Sequence, residues 1–181
     1  MKIPLKTKIA FWWWKKFRFK EPANSVQKIS KKGTGVRSLF VILPQDRTHL
    51  SIAQHFLKTL ASRGQFSAIN KIISWEEHRE FMDPELLLRS QLIGENDINK
   101  YGLLTLDSLK LLTSGQFNGI LNLDPELNPI STQIVSSFNS EIRIGFSSNY
   151  IKDIYNINIE NGKGTNYVER GYKYILEVLG L

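Results

Sequence analysis

An α/β fold, with a mostly parallel sheet and helices on both faces, is what this sequence predicts, and three observations predict it. Apolar runs of strand length alternate with segments of helical periodicity from residue 39 onward, and parallel strands require such crossovers. Two of those runs, LFVIL (39–43) and FNGILNL (117–123), have the apolar length of strands buried on both faces. The charge is also divided along the chain. Residues 1–37 hold 11 Lys and Arg against one acid, Glu21, whereas residues 38–181 hold 13 against 16. Together these imply one Rossmann-like domain at 38–181, preceded by a basic aromatic helical arm and linker at 1–37.

Composition bounds the function. A chain of 181 residues, 41% hydrophobic and 23% charged, leaves about one ordinary domain once the arm is set aside. The absence of cysteine excludes a disulfide framework and thiolate zinc sites. The apolar run 9–14 is too short for a secretory leader, and no stretch approaches the roughly 20 apolar residues of a membrane-spanning helix. The expected location is the cytoplasm, including the inner face of a membrane.

The elements follow in order. Residues 21–35 (EPANSVQKISKKGTG) read as a flexible connector from their Pro, Asn, Ser, Lys and Gly content. LFVIL is the first and central strand. Thr48 is placed to cap a helix to about Arg63, with Leu50, Ala53, Leu57 and Leu60 at helical spacing and Gly64 beyond its end. Residues 66–75 give a second strand centred on Ile72 and Ile73. The polar run EEHREFMDPELLLRS holds a short helix near 84–90, and residues 107–114 another, ending at Gly115. Residues 117–123 form the next strand, after which Asn128 caps a helix with Pro129 at its first position. EIRIGF (141–146) and YNINIE (155–160) are further strands, the latter a fifth or edge strand. The last helix begins at Asn166, with Glu169 placed for a capping box, and buries Val168, Tyr172, Ile175, Leu176 and Leu179.

In an open parallel sheet, ligands sit outside the carboxyl ends of the strands. The candidate residues are therefore Gln45, Asp46, Arg47 and Thr48; Asp124, Glu126 and Asn128; and Ser147, Ser148 and Asn149. Helix capping and a turn at Asp124-Pro125 account for several of them without any ligand. The loop after the first strand has no glycine, against the close backbone approach that a dinucleotide pyrophosphate needs. KKGTG (31–35) precedes the strand, and GKGT (162–165) is half a phosphate loop; both read as turns. His49, His55 and His78 lack metal-ligand spacing, and no GxSxG nucleophile elbow occurs. The expected sites thus contain no metal, no cofactor and no catalytic group.

Residues 117–150, FNGILNLDPELNPISTQIVSSFNSEIRIGFSSNY, run from an apolar strand ending in Asp through a polar loop and small-residue helix to a strand ending Arg143-Ile144-Gly145-Phe146. This stretch resembles the amino-terminal domain of heptosyltransferase-type glycosyltransferases. The resemblance implies one half of such an enzyme, with Asp46, Asp124, Asn128 and Arg143 as vestiges of an acceptor site. That family has a Gly-Asp pair after the first strand; here the loop is PQDRTH, and Asp46 is the nearest acid. It also builds its donor site largely on a second domain, so activity implies a separate donor-binding chain.

The arm carries WWWKKFRFK (12–20), with Trp12, Trp13, Trp14, Lys15, Lys16, Arg18 and Lys20 as candidate binding residues. On a helix, Leu5, Ile9, Trp13 and Phe17 form one row while Phe11 and Trp14 fall opposite. Three partners fit these residues. An anionic membrane surface suits Trp at headgroup depth beside Lys and Arg, RNA suits cations with stacking aromatics, and a protein groove or the chain's own domain suits the Trp cluster. The leading expectation is a non-catalytic accessory protein held on an anionic membrane surface or a membrane-associated complex. A split glycosyltransferase half and an RNA- or ribosome-associated protein are the alternatives.

Overall fold

The computed structural model describes residues 3–18, 36–62, 64, 66–138, 140–146, 154–160 and 166–180. Its helices are α1 (Leu5–Arg18), α2 (Arg47–Ser62), α3 (Pro84–Leu88), α4 (Leu106–Leu112), α5 (Pro129–Ser137) and α6 (Tyr167–Leu179). Its strands are β1 (Leu39–Ile42), β2 (Ile69–Trp75), β3 (Ser90–Ile93), β4 (Gly119–Asn122), β5 (Ile142–Phe146) and β6 (Ile157–Ile159). All neighbouring strands pair in parallel, in the order β3-β2-β1-β4-β5-β6. That is the doubly wound Rossmann order, in which the sequence of strand addition reverses between β1 and β4 while every strand stays parallel.

The apolar runs explain the centre of the sheet. Every residue of β1, β4 and β5 is buried, because their alternate side chains enter two separate cores. Leu39, Val41, Leu121 and Ile144 face the core covered by α2 and α6, through Leu57, Leu60, Tyr172 and Ile175. Phe40, Ile42 and Ile120 face the other, with Leu109 and Leu112 of α4 and Ile130 and Ile134 of α5. Each such side chain, fully buried, contributes roughly 1.5–3 kcal/mol.

Several local expectations are corrected. The cap of α2 is Asp46, not Thr48: Asp46 Oδ1 accepts from the backbone amides of Thr48 (2.9 Å) and His49 (3.1 Å). Asn166 precedes α6 but makes no side-chain capping bond. The polar run after β2 contains, besides α3, a 3-10 helix at Glu76–Phe81, and its last residue, Ser90, opens the edge strand β3. Asn128 caps α5 as its position predicts, accepting from Ile130 (2.9 Å) and Ser131 (3.3 Å). Gly64 adopts φ 72° after α2, the left-handed conformation expected just past a helix.

The arm is helical over Leu5–Arg18, and one side of it joins the domain. Thr7 is buried and lies over Gly102, while Phe11 packs against the core that contains Phe40 and Ile130. Trp14 stacks on Phe11 with ring centroids 5.9 Å apart. Val36, just before β1, is buried in the other core. Residues 21–35, Lys20, the loop 147–149 and GKGT (162–165) lie outside the described residues.

Candidate functional site

The carboxyl ends of β1, β2 and β4 meet around one cavity of about 490 Å³ at the reversal point of the sheet, within the range of small-ligand pockets. Gln45, Asp46 and Arg47 enter it from the loop after β1. Glu77 and His78 come from the 3-10 helix after β2, and Asp124, Glu126, Leu127 and Asn128 from the loop between β4 and α5.

The third loop is held by buried hydrogen bonds on both sides of the sheet. Asn122 Nδ2 donates to the Tyr155 hydroxyl (2.7 Å), and Asn122 Oδ1 accepts from the Asp124 amide (3.1 Å). On the opposite face the Tyr172 hydroxyl donates to the Leu123 carbonyl (2.7 Å). Burial raises both tyrosine pKa values, so each hydroxyl stays protonated. Asp124 then closes an Asx turn by accepting from Glu126 N (3.0 Å).

Gln45 ties the loops together. Its amide N–H reaches Asp124 Oδ2 (3.4 Å), its Nε2 donates to Glu77 Oε1 (3.3 Å), and its Oε1 accepts from Asn128 Nδ2 (3.0 Å). Arg47 places its guanidinium 4.1 Å from the ring centre of Phe81. His78 is 1% exposed, with Nε2 3.9 Å from Glu77 Oε1 and Nδ1 unpartnered among the described residues. Burial lowers its pKa and keeps the ring neutral.

The two central acids have opposite electrostatics. Asp46 is held below the usual carboxylate range, first by the His49 backbone N–H. A half-exposed carboxylate committed to a helix end is a poor general base. Asp124 is buried, and desolvation pushes its pKa up to about 6. Its folded pKa therefore exceeds the unfolded value near 3.8, and between the two the folded state binds the extra proton. Stability contributed by Asp124 is present below about pH 4 and is lost as pH rises to about 6, by about 3 kcal/mol. His78, lowered by burial, acts in the opposite direction below its ordinary value of 6.5. The comparison of native protein with Asp124→Asn isolates the first effect. The native-minus-variant difference in unfolding free energy should fall between pH 4 and 6, as measured by urea denaturation.

Asp46, Asp124 and Asn128 thus come together, with Gln45, Arg47 and Glu126, whereas Arg143 does not join them. It lies level with Ile120 in the β4–β5 pairing, four residues before Asp124, about 13 Å along the strand direction. Its side chain is 1% exposed and donates from Nη2 to the Phe138 carbonyl at the end of α5. A cation there complements a helix carboxyl terminus, a structural role. The Asp46–Arg143 acceptor pair implied by the resemblance is not assembled. Glu77 and His78 belong to the cavity although sequence reasoning omitted them; their signal was their place directly after β2.

The outer side of α1 is the second candidate. Leu5 (73% exposed), Ile9 (52%), Trp12 (56%) and Trp13 (54%) share one arc, opposite Thr7 and Phe11. Lys6, Lys8 and Lys16 are exposed beside them, Lys15 is partly exposed, and Lys16 Nζ lies 5.3 Å from the Trp12 ring centre. Arg18 closes the helix; Lys20 is outside the described residues. No described helix is long and apolar enough to cross a membrane, and no described cluster of His and acids could hold a metal ion. Comparison with protein-family models, curated proteins and solved structures returns no match. The conclusion that stands at this point is structural: the chain is a Rossmann-like α/β protein with a six-stranded parallel sheet.

Proposed function

We propose that this chain is a non-catalytic Rossmann-like accessory protein that docks on an anionic membrane surface through the outer face of α1. The observation that carries the reading is the division of that helix into two apolar sides. Thr7 and Phe11 are used against the domain, which leaves Leu5, Ile9, Trp12 and Trp13 as a separate outward arc. Viewed alone, the helix has apolar residues all round and poor amphipathicity. Docked on its domain, it presents an interfacial face rimmed by lysines.

The chemistry of that face favours lipid over the other partners. Nucleic acid would use the cations and the indole rings but gains little from exposed Leu5 and Ile9. A headgroup region accepts all of them: Trp at the polar boundary, aliphatic side chains below, and lysines at the anionic surface. Lys6, Lys8, Lys15 and Lys16 together contribute roughly 4 kcal/mol at about 1 kcal/mol each. The split-glycosyltransferase reading has weaker support, since Asp46 caps α2 and Arg143 lies away from it.

The test is vesicle flotation of the full chain. Flotation on vesicles containing phosphatidylserine or phosphatidylglycerol is expected, with marked loss on pure phosphatidylcholine and on raising salt. Equal flotation on neutral vesicles, or none on anionic ones, would overturn the proposal; nuclease-sensitive sedimentation with large particles would replace it with an RNA partner.

A further inference from the structure

On the lipid reading of α1, the helix brings more than its own outer arc to the surface, because it is mounted on the domain. Thr7 is buried over Gly102, where an added methyl group would meet Thr7 Oγ1 at 2.9 Å. Gly102 also has φ 77°, so the turn conformation and the close approach of the helix both require glycine there. The turn around it is held by hydrogen bonds. Asn99 Oδ1 accepts from Tyr101 N (2.9 Å) and Leu103 N (3.3 Å), and Gly102 N donates to the Asn99 carbonyl (2.9 Å). Leu104 N donates to the buried Gln133 side chain of α5 (2.9 Å), which ties the turn to that helix. Phe11, one turn further along α1, packs on the core that α4 and α5 cover. Helix and turn are therefore one piece with the α4/α5 side of the sheet.

The turn also carries Lys100 and Tyr101, both exposed, with Lys100 Nζ 5.1 Å from the Tyr101 ring centre. Tyr101 adjoins Gly102, the residue that Thr7 touches. The pair repeats the chemistry of Lys16 and Trp12 on α1, where the separation is 5.3 Å. A Tyr beside a Lys suits the headgroup layer as Trp does, with the ring at the polar boundary and the ammonium toward anionic phosphates. One exposed Tyr on a turn would be ordinary, but this one is set beside an interfacial helix. Since helix and turn belong to one body, the second contact adds affinity without a second loss of translational freedom. We infer that Lys100 and Tyr101 form a second lipid contact beside α1. The chain then binds an anionic bilayer in one orientation, with its α4/α5 side toward the membrane and its α2/α6 side away.

The sequence has no cysteine, so a single introduced thiol in the full chain can be labelled specifically. Tyr101→Cys and Leu88→Cys, each carrying the polarity-sensitive dye nitrobenzoxadiazole, report the two sides. Leu88 is 88% exposed on α3, whose Leu86 packs in the core covered by α2 and α6. On vesicles containing phosphatidylserine the dye at position 101 should brighten and shift to the blue, while the dye at position 88 should not respond. The unlabelled double variant Lys100→Ser/Tyr101→Ser should bind those vesicles about tenfold more weakly than the native chain, with unchanged thermal unfolding. If the native chain floats, this inference alone is overturned by a silent dye at 101, by equal responses at 101 and 88, or by native affinity in the double variant. A native chain that does not float on these vesicles would remove it together with the lipid reading of α1.

Discussion

Replacing Trp12 and Trp13 together by Ala should lower the affinity of the full chain for anionic vesicles by about a hundredfold while leaving its thermal unfolding nearly unchanged. Both indoles are more than half exposed, so the folded domain gains little from them. Their burial on docking is worth more. Roughly 100 Å² of apolar surface per ring, at about 25 cal/mol per Å², gives a gross gain near 5 kcal/mol for the pair. The wet headgroup region reduces this to about 3 kcal/mol, or two decades in affinity. Phe11→Ala should behave in the opposite way, because Phe11 packs against the domain core: stability falls by about 2–3 kcal/mol. Flotation and thermal denaturation of the two variants separate the outer face of α1 from its inner one. A Trp12/Trp13 variant that floats like the native chain would remove the membrane reading.

Gly145→Ala is expected to destabilise the domain by about 3 kcal/mol. A methyl group at Gly145 would come within 2.4 Å of the Tyr155 ring. That ring cannot readily move, since it is 3% exposed and its hydroxyl accepts from Asn122. Overpacking of this kind costs about 1–3 kcal/mol, and a rigid, hydrogen-bonded aromatic puts the site at the upper end. For a domain of this size the melting temperature should fall by roughly 6–12 °C. In a Tyr155→Leu background the same substitution should cost much less, a non-additivity that calorimetry can read directly. The Gly145-Phe146 sequence that carries the glycosyltransferase resemblance thus has a local packing cause: the glycine makes room for Tyr155, and Phe146 fills the core beside Tyr172.

These contacts also show how far the sequence was legible. The continuous apolar runs of β1, β4 and β5 announced strands buried on both faces, and the helical spacing of Leu50, Ala53, Leu57 and Leu60 announced α2. β3 was missed because an edge strand need not be apolar: three residues of Ser90–Ile93 are only partly buried. The cap of α2 was misplaced by two residues because Asp46 and Thr48 are both good caps, and the backbone path after β1 decides between them.

The carboxyl-edge rule groups Asp46, Asp124 and Asn128 from the sequence alone. It did not extend to Glu77 and His78, because EEHREF carries no regular periodicity that would fix its position beside β1. Arg143 was placed by resemblance, whereas its register opposite Ile120 sets it deep in the sheet. Two apolar rows on the arm were visible in its spacing. Which of them faces outward was not, since that depends on the domain surface receiving Thr7 and Phe11.

The central claim is that the outer face of α1 enters an anionic lipid surface, and tryptophan fluorescence of the full chain tests it most directly. Of the four Trp residues, Trp75 is 3% exposed in the core, while Trp12 and Trp13 are the exposed ones. On saturating anionic vesicles the emission should shift to the blue and be quenched by lipids brominated near the headgroup, with neither change on phosphatidylcholine alone. Unaltered emission and no bromolipid quenching at saturating anionic lipid would contradict the account.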